Sequence, residues 1–137
     1  MRRFWFIIVG LATLCAIGIF IAREYTGIPS RLNQERAVTS LRSIRAAQLS
    51  FKSTKGVGKY GTLDELAAAK LIDPTLASGI KNGYRFEVRV KNGSFEAVAV
   101  PLKDKYWSFY LDESGVIRGT VKDGAEANAS DQPVRHQ

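Results

Sequence analysis

Cysteine and histidine are nearly missing from this chain of 137 residues, which carries one of each. Cys15 lies inside an apolar run, so no intramolecular disulfide is available and the fold must rest on its core. The single histidine, His136, is the penultimate residue, which leaves a serine or cysteine nucleophile without its usual base. Clustered His or Cys ligands for a transition metal are lacking as well. Carboxylates are present, but they alternate with apolar residues as the wet positions of strands do, which argues against a paired-acid hydrolase. These absences predict a protein that is not an enzyme and carries no cofactor and no metal. Asp112, Glu113 and Asp104 come nearest to a calcium set, yet they follow no recognised loop spacing, and a hairpin turn explains them more simply. Gly56, Gly58 and Gly61 lack the lysine and hydroxyl residue of a phosphate loop and read as a plain loop with Tyr60 beside it. Asn92-Gly93-Ser94 and Asn128-Ala129-Ser130 match the glycosylation acceptor pattern, though a turn and a tail account for both.

What the chain does have is a long hydrophobic run. Phe4 to Ala22 contains no charged or amide side chain, and as a helix it would be about 28 Å long, close to the hydrocarbon thickness of a bilayer. Arg2 and Arg3 precede it, so the positive-inside bias keeps residues 1–3 in the cytoplasm and exports the rest. A cleaved signal peptide is the competing reading, with Ala16-Ile17-Gly18 as its only tolerable site, but cleavage there would leave Ile19, Phe20 and Ile21 on the mature end. Leu14 before Cys15 argues against lipid modification. Tyr25 suits the headgroup level and Pro29 marks a bend. The expected placement is therefore a single-pass protein of the cytoplasmic (inner) membrane, with residues 4–22 as its span and a periplasmic or extracellular domain over 23–119.

The formal net charge is +7, and its position matters more than its size. Between residues 25 and 55 the chain carries Arg31, Arg36, Arg42, Arg45, Lys52 and Lys55 against Glu35 alone, whereas residues 56–137 balance. Membrane lipid headgroups are the nearest anionic partners for Arg31, Arg36, Arg42 and Arg45, and a solvated helix face is the alternative. No groove-reading motif accompanies these arginines, so nucleic acid is not expected as a partner and extracellular DNA stays a minor reading.

From Ser30 to about Ser53, Ala37, Leu41, Ile44, Gln48 and Phe51 recur at steps of 4, 3, 4 and 3, which is one helical stripe. The stripe predicts a core-facing side built on Ala37, Leu41, Ile44 and Phe51. Thr62-Leu63-Asp64-Glu65 reads as a capping box opening a short Ala-rich helix that should end near Asp73-Pro74. Tyr84 to Val90 alternates apolar and charged residues, Asn92-Gly93 favours a primed turn, and Phe95 to Val100 supplies the partner strand. Tyr106 to Leu111 and Val116-Ile117-Arg118 complete a four-stranded meander, and residues 120–137 read as a mobile tail. The predicted fold is α+β: a long N-terminal helix, transmembrane in its first part, packed on a four-stranded antiparallel meander with one short extra helix.

Ala37-Val38-Thr39-Ser40-Leu41-Arg42-Ser43-Ile44-Arg45-Ala46-Ala47-Gln48 resembles the segment that follows the anchor in type IV pilins and type II secretion pseudopilins. YGTLDELAAAKLIDPTLASG, NGYRFEV and SFYLDESGVIRG resemble the globular part of the same bacterial proteins, so the likeness covers roughly residues 29–120. Ile28-Pro29 is similar to the pair that ends the buried part of a pilin helix. The resemblance implies a long helix on an antiparallel sheet and a role as a subunit or assembly factor of a pilus or secretion pseudopilus, with other such subunits as partners. It does not extend to the leader-peptidase motif: Arg3 precedes Phe4, Trp5 precedes Phe6, and no glutamate occurs before Glu24.

Overall fold

The computed structural model describes residues 30–103 and 105–135. The chain divides into two units, Met1–Ser30 and Arg31–Gln137. The expected span over 4–22, together with Arg2, Arg3, Tyr25 and Pro29, lies outside the described residues. Among those described, no helix is long and apolar enough to cross a membrane.

Helix α1 runs Ser30–Ser53. Its stripe is buried: Ala37, Leu41 and Ile44 are fully covered and Phe51 nearly so. Gln48 belongs to the same face and is 0% exposed, because its amide bonds twice to Gly61, Nε2 donating to the carbonyl at 2.6 Å and Oε1 accepting from the N–H at 2.9 Å. That pair of bonds fixes the glycine loop against α1. A Cβ at Gly61 would stand 3.0 Å from the Phe51 ring, so the loop's small residues serve to admit that ring.

Two short helices follow, where the sequence predicts one. Helix α2, Leu63–Ala68, is capped by Thr62, whose hydroxyl accepts from the Glu65 amide while the Glu65 carboxylate accepts from the Thr62 amide. Helix α3, Pro74–Ala77, begins where a stop is expected: Asp73 accepts from the Leu76 amide at 2.9 Å and Pro74 occupies the first turn. Proline ends one helix and starts the next with equal ease, since its missing N–H costs nothing in a first turn.

The sheet is a five-stranded antiparallel meander, which corrects the expected four. Its strands are β1 Ile80–Lys81, β2 Tyr84–Lys91, β3 Ser94–Pro101, β4 Trp107–Asp112 and β5 Arg118–Val121, paired in sequence order. The missed strand, β1, is too short to show alternation. It exists because Asn82-Gly83, at φ 51° and 77°, makes a second primed turn like that of Asn92-Gly93 at 54° and 77°. Strand β5 starts two residues later than expected, at Arg118. Tyr84, Phe86, Phe95, Ala97, Ala99, Phe109 and Leu111 form one cluster with the α1 stripe.

The other face of the sheet is covered too, and here the expected mobile tail is corrected. Val121 is in β5, and Ala127 is buried with Val98, Val100 and Tyr110 in a second small cluster. The Ser108 hydroxyl donates to the Ala125 carbonyl at 2.6 Å, the Gly119 amide to Gln132 at 3.0 Å, and the Val134 amide to Ile117 at 2.8 Å. Arg89 grips the Glu126 carboxylate with both terminal nitrogens at 2.6 and 2.9 Å, and Lys122 meets Asp131 at 2.7 Å. The polar composition concealed this docking, because it uses main-chain bonds, ion pairs and the isolated Ala127 and Val134 rather than a periodic apolar face.

These ion pairs predict an acid limit to stability. The Arg89 guanidinium holds the Glu126 carboxyl below its ordinary pKa, and the Lys122 ammonium does the same for Asp131. A carboxylate whose pKa is lower folded than unfolded stabilises above its unfolded value, and that contribution is lost as the pH falls through the folded one. The urea midpoint should therefore be level from neutrality to about pH 5 and decline below about pH 4. Glu126→Gln and Asp131→Asn should each flatten the decline and cost about 1 kcal/mol or less at pH 7, since water screens both pairs.

Candidate association surface

Helix α1 also carries the four arginines singled out in the sequence. At about 100° of turn per residue, Arg31, Arg42 and Arg45 share one flank with Val38 and Leu49, while Arg36 stands more than about 100° away. Arg31, Arg36 and Arg42 are exposed and Arg45 is half-buried. The structure thus gathers three of the four beside the core stripe and separates the fourth.

Opposite that flank lies the loop between β4 and β5, joined by the end of the C-terminal segment. Between them is a groove of about 260 Å³ lined by Val38, Arg42, Gly115, Val116, Ile117 and Val134. Its wall is mainly aliphatic, with Arg42 as the one charged residue among those that line it. Val116 is 37% exposed and Leu49, further along α1, 47%, so the flank presents apolar surface as well as charge. Val134 is the only large aliphatic residue after Val121, and that isolation is the one sequence signal that would have added the C-terminal segment to the site.

Arg45 packs against Gly115, one of the lining residues. A Cβ at Gly115 would lie 2.5 Å from both its Cζ and its Nε, so the guanidinium rests directly on the glycine main chain. Its Nε is buried and has no hydrogen-bond partner. Gly115 also has φ +79°, a conformation that side chains resist. Gly115→Val is expected to lower stability by about 2 kcal/mol through backbone strain and to push Arg45 outward. Chemical unfolding measures the first effect; a Gly115→Val/Arg45→Ala double variant that recovers no stability would show that strain alone is responsible.

The acidic end of β4 serves the fold. Asp112 accepts from the Ser114 amide at 2.9 Å and from the Ser114 hydroxyl, which shapes the turn into the groove. The Tyr110 phenol faces Glu96 at 3.3 Å and Asp112 at 3.4 Å, and burial together with these carboxylates pushes its pKa up to about 12, so it remains a donor. Among the described residues no three His, Cys, Asp or Glu side chains converge as a metal site would require. Comparison with family models, with curated proteins and with solved structures finds no match.

Proposed function

We propose that this chain is a membrane-tethered subunit or assembly factor of the type IV pilin and type II secretion pseudopilin kind, acting by protein association and not by covalent chemistry. The observation that carries the reading is the division of labour on α1. Its stripe is committed to the core, while Arg42 and Leu49 are exposed and the half-buried Val38, Ile117 and Val134 line a groove with the exposed Val116 at the edge of that core. A groove lined by four aliphatic side chains suits a protein partner with a complementary apolar segment. Upstream, Phe4 to Ala22 with Arg2 and Arg3 supplies the tether, which puts the domain on the outer side of the cytoplasmic membrane with lipid headgroups close by.

Membrane fractionation with protease added from the periplasmic side tests the placement. The full chain should sediment with membranes and be cut, and a domain that stays protected in the cytosol would end this reading. Affinity purification tests the role: pilin-like or secretion subunits should co-purify, and Arg42→Glu with Val116→Glu should reduce their recovery at least about tenfold. A groove of about 260 Å³ also accepts a small ligand, so a tethered binding module for a ligand or surface polymer is the second reading. Purification without any pilus or secretion component would select it.

A further inference from the structure

Strand β2 has eight residues, but its neighbour β1 covers only the first part of its outer edge. Ile80 and Lys81 pair with Arg85 and Tyr84, and the Phe86 amide donates to the Gly79 carbonyl at 2.7 Å. From Glu87 to Lys91 that edge has no strand beside it among the described residues. The two-residue turn after Lys91 decides which groups are free. Lys91 faces Ser94, so the β3 bonds alternate through Lys91, Arg89 and Glu87, and the N–H and C=O of Val88 and Val90 point outward. An open edge of this kind is a template for another strand.

The side chains along the free stretch read Glu87-Val88-Arg89-Val90-Lys91, and turned antiparallel about Arg89 this stretch complements itself. Val88 then faces Val90 of a second copy, Glu87 faces its Lys91, and the relation repeats by symmetry. Four new backbone hydrogen bonds and two ion pairs result. The central arginines oppose each other, but each is already neutralised on its own chain by Glu126, whose carboxylate it holds with both terminal nitrogens. The register is unique: sliding one way drives the second copy into Gly79 and Ile80, and sliding the other way runs past Lys91 into the turn.

We infer that the exposed edge of β2 is a homotypic docking surface, pairing two copies of this chain in an antiparallel register centred on Arg89. The pairing is independent of the α1 groove and leaves it accessible. Five residues from each copy make a small contact, well below the area of a permanent dimer, so its place is between chains concentrated by other means.

Disulfide capture on the full chain, in detergent and with Cys15→Ser as background, tests the register. Protein carrying Glu87→Cys mixed with protein carrying Lys91→Cys should cross-link as unlike pairs in clear excess over like pairs, because facing positions bring Cβ atoms to about 5 Å. Charge reversal reads the ion pairs: Glu87→Lys should weaken dimerisation by about tenfold, and Glu87→Lys with Lys91→Glu should restore it. Val88→Pro should abolish pairing while sparing β2–β3, since the lost N–H points away from β3. Cross-links without preference for unlike pairs, a dimer that survives Val88→Pro, or capture of a different protein in place of a second copy would each overturn the inference.

Discussion

Replacing Gln48 with leucine is expected to lower the free energy of unfolding by about 3 kcal/mol, although leucine matches the apolar stripe on which Gln48 stands. The reason is the buried Gly61 peptide, whose N–H and C=O both end on the Gln48 amide. Leucine leaves that donor and that acceptor without water or protein, at about 1–3 kcal/mol for each group. Gln48→Glu separates bonding from shape. Its carboxylate accepts from the Gly61 amide but has nothing to donate to the carbonyl, and burial raises its pKa, so the variant should gain stability as the pH falls and the acid protonates. Equilibrium urea unfolding measures both variants. A leucine variant within about 0.5 kcal/mol of the parent would mean that the loop does not depend on this amide.

Phe95→Ala should cost more, about 4 kcal/mol. Phe95 is 1% exposed in β3 and stacks edge-on against Tyr60 with ring centres 4.8 Å apart. Tyr60 is in turn covered by the Lys52 ammonium, 4.3 Å from its ring centre. Removing the phenyl ring opens a cavity in the core cluster and takes away the ring against which Tyr60 packs. Leu49→Ala, on the exposed flank of α1, is the control and should change stability by no more than about 0.5 kcal/mol. Comparable losses in the two variants would contradict the division of α1 into a core face and an association face.

The glycine loop shows how much of a function-like motif is structural. Gly56, Gly58 and Gly61 invite a ligand-cradle reading until the Phe51 ring is found against Gly61 and the Gln48 amide on its peptide. The groove is the converse case. Arg42 and Arg45 were legible as basic helix positions, but Gly115, Val116, Ile117 and Val134 belong to segments read as a turn, a strand and a tail. Nothing in the sequence joins them to α1, because their nearness arises from the Val134 amide bonding to Ile117 and from Arg45 lying on Gly115.

By itself the sequence determined the buried stripe and the C-terminal end of α1, the capping box of α2, the β2–β3 hairpin and the concentration of positive charge between residues 25 and 55. Each depends on residues within a few positions of one another, so the period of 3.6 or 2 and the turn and cap residues record it directly. Tertiary structure alone decided the short β1, the start of β5, the second helix beginning at Pro74, the docking of the C-terminal segment and the groove beside α1. These rest on main-chain hydrogen bonds and contacts between residues far apart in the chain, and a backbone amide carries no letter in the sequence to announce its partner.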